Sequence, residues 1–237
     1  MFGWAVHAYT ASGAVMGLLA IKFAGEHRFQ ASFVMMALAT AVDSSDGVLA
    51  RYFEVKQRLP NFDGALLDNI VDYLTYVVAP AYLMLCAGML PAGWELVLVS
   101  AILLSSAYGF CQTNAKTSDH FFLGFPSYWN LVVFYQFCFG MRPILNAFFV
   151  VLFAVLVFVP IKYIYPSRTE LLRRLTISLG IAWAVLVVYL LLTLPAPNQF
   201  VVWLSFTFIG YYLIMSIVLH AWTAWVLHRT GMHEREA

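Results

Sequence analysis

The sequence predicts an all-α, multi-pass membrane protein with about eight transmembrane helices and both termini cytoplasmic. Three observations predict it. Hydrophobic residues make up 62% of the 237 residues and charged residues 11%, against about 45–50% apolar and about 25% charged in an ordinary soluble domain. The apolar residues gather into eight stretches, each near the roughly 20 residues that a helix needs to cross a hydrocarbon core of about 30 Å. Lys and Arg alternate between the connections in the way that orients membrane helices. The same composition excludes a soluble domain, a disordered chain and a disulfide scaffold. A net charge of +1 excludes a generally basic nucleic-acid binder.

Taken in order, the predicted spans are residues 8–25, 29–53, 63–89, 92–113, 122–140, 142–163, 172–194 and 198–225. The first carries Gly13 and Gly17 four apart, a small-residue motif for close helix packing, either inside the bundle or across a homodimer. Spans two and three are joined by a segment holding Arg51, Lys56 and Arg58. Lys116 lies between four and five. Lys162, Arg168, Arg173 and Arg174 lie around the connection from six to seven, and Arg229 and Arg235 end the chain. On the opposite side fall Lys22, Arg28 and Arg142, while the connections Pro91–Trp94 and Pro195–Gln199 hold no Lys or Arg. Ten basic residues against three place both termini in the cytoplasm and support an even number of spans. No segment is long enough for a soluble domain, so residues 1–237 read as one integral membrane domain. Cys86, Cys111 and Cys138 lie inside apolar stretches and read as buried small hydrophobes.

Five of the six aspartates fall between positions 43 and 72. Asp43 and Asp46 interrupt the second span, and Asp68 and Asp72 the third. A carboxylate within a span costs about 2.5–3.5 kcal/mol on insertion scales, and such residues mark functional sites. Asp43 and Asp46 are three apart and Asp68 and Asp72 four apart, so each pair lies on one helix face. A short connection makes the two helices antiparallel neighbours, and the four carboxylates are expected to converge near the cytoplasmic surface. Like charges at that density need cations. Carboxylate oxygens select hard ions such as Mg²⁺, Mn²⁺ or Ca²⁺, and two such ions would neutralise the set. Paired metals held by carboxylates recur in displacement at phosphorus. Gly47, Ala50 and Gly64 leave the helix surfaces bare beside the acids, where a nucleotide or phosphate could approach. Arg51 is placed to contact phosphate oxygens.

The residues Asp43, Asp46, Gly47, Ala50, Arg51, Gly64, Asp68 and Asp72 together resemble the signature of the CDP-alcohol phosphotransferases, integral membrane enzymes of phospholipid synthesis. All eight fixed residue types are present in order. Twelve residues separate Arg51 from Gly64, where the common family spacing is about eight. The longer spacing and the eight spans are similar to the bacterial phosphatidylcholine synthases, which condense CDP-diacylglycerol with choline. The resemblance implies that Asp43, Asp46, Asp68 and Asp72 bind two divalent ions, Mn²⁺ or Mg²⁺, and that Asp72 is the general base. It implies that Gly47, Ala50, Arg51 and Gly64 serve the nucleotide. It also implies a six-span core over about 1–165, an addition over about 172–225, and a bacterial inner membrane with the active site facing the cytoplasm.

Two alternatives stay open. The acceptor could be another alcohol: glycerol phosphate, serine or inositol phosphate. A quaternary ammonium is held by aromatic faces, and Tyr128, Trp129 and Asn130 at the start of span five are the candidate choline pocket, with an interfacial aromatic belt as the competing explanation. From a different class, intramembrane acids also mark cation transporters. A transporter should show a path across the bilayer, whereas these acids are confined to one end of two adjacent spans. The six histidines are scattered and read as interfacial residues, with His120 placed on a loop that could approach the site.

Overall fold

The computed structural model describes residues 2–112, 121–164 and 173–230. Lys116, Arg168, Arg235, His120 and His233 lie outside the described residues. The described chain is helical throughout, apart from one short ribbon. Helix α1 (Phe2–Gly25) turns into α2 (Phe29–Tyr52) through His27, which takes a left-handed φ of 56°. A single turn, α3 (Val55–Arg58), follows. The third long helix is built from α4 (Gly64–Asp72), a π-helical segment (Tyr73–Val78) and α5 (Ala79–Cys86). Then come α6 (Glu95–Cys111), α7 (Trp129–Cys138), α8 (Pro143–Leu156), α9 (Arg173–Thr193) and α10 (Gln199–Thr230).

Eight helical segments therefore correspond to the eight predicted spans. Five are long and apolar enough to cross a membrane: Phe2–Gly25, Phe29–Tyr52, Gly64–Cys86, Arg174–Thr193 and Gln199–Val218. Three are shorter than the sequence predicts. The stretch 122–140 is helical only over Trp129–Cys138, and 142–163 only over Pro143–Leu156. The physical reason lies in the chain before and after them. Gly124 sits at φ +81°, and a Cβ there would run into the Val157 carbonyl, so the chain must turn at this point. Pro126 and Pro160 each lack an N–H for a helix. Strands β1 (Phe121–Leu123) and β2 (Lys162–Ile164) pair antiparallel instead, and Gly124 and Phe125 donate N–H bonds to the Ile161 and Leu156 carbonyls. The non-helical backbone is thus paired with itself, as it must be in an apolar surround.

Helix α1 lies along α2 and along the third long helix. Its buried stripe is Gly3, Val6, His7, Thr10, Gly13, Gly17, Ala20 and Ala24, mostly small residues at a helical repeat. A Cβ at Gly13 would stand 2.6 Å from Val71, and one at Gly17 2.9 Å from Leu74. The Gly13–Gly17 motif therefore packs inside the bundle. Helices α5, α6, α7 and α8 close the core around Leu83, Ile102, Trp129 and Val150, all fully buried. Helices α9 and α10 pack on each other and touch α2 and α7. Trp183 donates to the Tyr135 hydroxyl at 2.9 Å, which meets Ser205 at 3.0 Å, so one tyrosine of α7 ties both helices to the core.

The connections between helices sort into two ends. Gln30 of α2 donates to the Leu191 and Leu192 carbonyls at the end of α9. Asn146 of α8 donates to the Met89 carbonyl, and Gln199 of α10 to the Cys138 carbonyl. These four turns share one end. The acidic motif lies toward the other, and large apolar side chains such as Val15, Leu104, Phe148, Trp203 and Ile214 face outward. This is the architecture of a multi-pass membrane protein.

Candidate active site

The site is built where α2 and the third long helix run side by side. Its geometry begins with Asp63, the aspartate of the cluster outside the motif. Its side chain accepts the Leu66 N–H at 3.0 Å and caps α4. That cap fixes where the helix starts, and with it the angular phase of Asp68 and Asp72. Asp43 lies nine residues before the end of α2 and Asp72 eight residues after the start of α4. At a rise of about 1.5 Å per residue both carboxylates stand roughly 12–14 Å in from the helix ends.

One carboxylate oxygen each from Asp43, Asp68 and Asp72 lies within 4.8 Å of the others, and all three residues are half-buried. Three hard oxygen donors at that spacing, from two helices, can hold a divalent ion with small side-chain adjustments; Mg²⁺ and Ca²⁺ take such oxygens at about 2.0–2.6 Å. The donor set fits the metal chemistry expected from the sequence.

Asp46 differs from the expected convergence of four. It is buried, and its Oδ2 accepts the Thr10 hydroxyl of α1 at 2.7 Å, which holds it outside the group of three. Nearby, Tyr9 and Ser45 share a hydrogen bond of 2.8 Å. Asp43 is held in turn by Tyr76, whose hydroxyl donates to Oδ2 at 2.7 Å from the π-helical segment. That segment has a cause in the sequence. Pro80 has no N–H, and its ring would press on the carbonyl four residues back. The helix widens for one turn, and the Ala79 N–H reaches back five residues to Leu74.

Gly47 is half-buried, with Arg51 Nη1 as its near neighbour at 3.4 Å from where a Cβ would stand. Ala50 is half-buried and Arg51 exposed. Gly64 differs from expectation: the space its missing side chain opens is taken by the His7 ring, 2.7 Å from a Cβ position. His7 is buried, stacks 4.4 Å from the Phe62 ring, and its Nε2 has no hydrogen-bond partner.

The three predicted pocket residues separate. The Tyr128 ring stands 6.0 Å from that of Tyr76, beside the acids. Asn130 donates to Thr40 at 3.1 Å, one turn before Asp43. Trp129 does not line a pocket. It is fully buried, its indole N–H donates to Ser106 at 2.8 Å, and it packs on Phe125 and Phe153. The reason is helical phase: consecutive residues point about 100° apart, so a residue between two that face the site points away from it.

No protein-family model matches the chain. It is 43% identical over 220 residues to a phosphatidylcholine synthase of Legionella pneumophila, covering 90% of this chain and 86% of that one. It is 40% identical to the phosphatidylcholine synthase of Legionella bozemanae over 86% of this chain and 97% of the relative. It is 39% identical to that of Rhizobium meliloti over 91% and 90%. The chain belongs to the phosphatidylcholine synthase family.

Within this phosphatidylcholine synthase family member, three residues at the acids were not singled out as site residues from the sequence: His7, Thr10 and Tyr76. One signal was available for two of them. His7 and Thr10 lie three apart on the stripe of small residues that buries α1, a place where a polar side chain must meet a partner or a ligand. Tyr76 carried no comparable signal, because its reach to Asp43 depends on the widened turn before Pro80.

Proposed function

We propose that this chain is a CDP-alcohol phosphotransferase that moves the phosphatidyl group of CDP-diacylglycerol to choline, giving phosphatidylcholine and CMP. The convergence of Asp43, Asp68 and Asp72 in a chain of this family is the observation that carries the reading. The choline oxygen attacks the phosphorus that bears the diacylglycerol. A P–O bond forms to choline, and the bond to the CMP oxygen breaks. Asp72 takes the hydroxyl proton, and CMP leaves with the electron pair. Asp43, Asp46, Asp68 and Asp72 would hold two divalent ions, Mn²⁺ or Mg²⁺, which when bound neutralise the pyrophosphate and the charge developing on the leaving group.

Gly47 and Ala50 leave room for the nucleotide and Arg51 faces its phosphates. Gly64 contributes by admitting the His7 ring against the same wall. Tyr128 offers an aromatic face to the quaternary ammonium, with Asn130 beside it. The site faces the cytoplasm of a bacterial inner membrane: the basic residues counted above gather at this end, the lipid tails stay in the bilayer, and choline and CMP exchange with water.

The test is CMP release by the purified chain given CDP-diacylglycerol, Mn²⁺ and choline, beside Asp72→Asn. Release should require choline and fall about 10²–10⁴-fold in the variant, the usual worth of a general base. Turnover with glycerol 3-phosphate and none with choline would overturn the acceptor and keep the reaction class. Uptake of Mn²⁺ into proteoliposomes without any nucleotide chemistry would return a transporter.

A further inference from the structure

Each of the two acidic residues on α2 is held by a neutral hydroxyl from a different helix. Tyr76 of the π-helical segment donates to Asp43 Oδ2 at 2.7 Å, and Thr10 of α1 donates to Asp46 Oδ2 at 2.7 Å. Both hydroxyl residues are buried, with 7% and 6% of their surface exposed. Short, buried bonds of this kind fix the carboxylate rotamer before any ligand arrives. A hydroxyl does so without cancelling the carboxylate charge, whereas Lys or Arg in the same place would compete with a cation for it. The bond engages one carboxylate oxygen and leaves the second available. Tyr76 and Thr10 also lie outside the acidic motif, so nothing in the motif requires them.

From this geometry we infer that Tyr76 and Thr10 are positioning residues of the metal site: two hydroxyl latches that preorganise Asp43 and Asp46 for divalent cations. The inference rests on the reading of the acids as metal ligands. Partners of metal ligands typically contribute 10–100-fold, roughly, to metal affinity. Part of that effect is the rotamer freedom that an unheld carboxylate must lose on binding.

The experiment is direct Mn²⁺ binding to the purified full-length chain in detergent, followed by the electron paramagnetic resonance signal of free Mn²⁺, with no nucleotide and no choline present. Tyr76→Phe and Thr10→Val should each raise the Mn²⁺ dissociation constant about 10-fold or more. Thr10→Ser keeps the hydroxyl and should bind as the unaltered chain does. Tyr73→Phe removes a hydroxyl from the same helical segment, but one that bonds the Leu103 carbonyl at 3.0 Å, and should also leave binding unchanged. The two latches are read independently, so a variant that fails to fold leaves the other to decide. Unchanged Mn²⁺ binding in folded Tyr76→Phe and Thr10→Val would overturn the latches alone. Absence of Mn²⁺ binding by the folded unaltered chain would overturn the metal reading beneath them.

Discussion

Asp72, Gly64 and Asp46 show how far a single residue type speaks for itself. An aspartate inside a span announces a function because its insertion is unfavourable, and the three that converge at the site were legible for that reason. A glycine announces only that something comes close. At Gly64 the close neighbour is the ring of His7 from another helix, which no local pattern reveals. The consequence can be measured. Gly64→Ala forces a methyl against Cε1 of His7 at 2.7 Å and should lower stability by about 1–3 kcal/mol, the usual effect of overpacking. Thermal unfolding of detergent-solubilised protein reads it. The pair Gly64→Ala with His7→Ala empties the space again and should recover most of the loss. A double variant as unstable as the single one would mean that the space at Gly64 is needed for something other than His7.

At the scale of the element, the third long helix carries the chemistry, and its irregularity is part of it. A regular α-helix from Gly64 to Cys86 would set residues after Asp72 on a different face from those before it. The π-helical turn at Tyr73–Val78, forced by Pro80, shifts that phase and aims Tyr76 at Asp43 while Tyr73 reaches Leu103. Single π-turns inside helices recur at functional sites. Pro80→Ala restores the missing N–H and permits an ordinary helix, which would turn one half against the other by as much as about 100°. Helical content should be retained by circular dichroism, and choline-dependent CMP release should fall at least about 10-fold. A variant with unaltered turnover would show that the widened turn has no part in placing the site. The short helices α7 and α8 teach a related lesson. Their apolar stretches suggested full spans, because hydropathy counts residues and does not see that Gly124, Pro126 and Pro160 divert the chain into paired strands.

For the whole molecule the decisive property is that chemistry sits at one end. Side chains from α2 and the third long helix converge there, α1 buttresses them, and Tyr128 and Asn130 bring α7 beside them. The other end is closed by bonds between turns, as Gln30, Asn146 and Gln199 show. Orientation in the membrane is testable on this basis. With Cys86, Cys111 and Cys138 replaced, Asn61→Cys lies in the exposed segment at the acidic end and Gly93→Cys in the exposed turn at the other. In intact bacterial cells, a membrane-impermeant maleimide added outside should modify Gly93→Cys and spare Asn61→Cys. The reverse pattern would turn the protein over and remove cytoplasmic choline and CMP from the account.

The sequence by itself determined that the chain is a bundle of eight apolar helical segments and that its acids lie on two neighbouring ones. Hydropathy and helical spacing are local and additive, so both facts follow from counting along the chain. It also determined the family signature, since eight residue types in a fixed order need no coordinates. The tertiary structure decided which acids meet, what holds them, and which neighbours face inward. Asp46 turns to Thr10, Gly64 receives His7, Trp129 goes into the core, and Gly13 and Gly17 seat α1 on Val71 and Leu74. Each of these depends on contacts between segments distant in sequence, and the angular phase that makes them is set by helix starts and by one widened turn, where a small change in backbone geometry redirects a whole face.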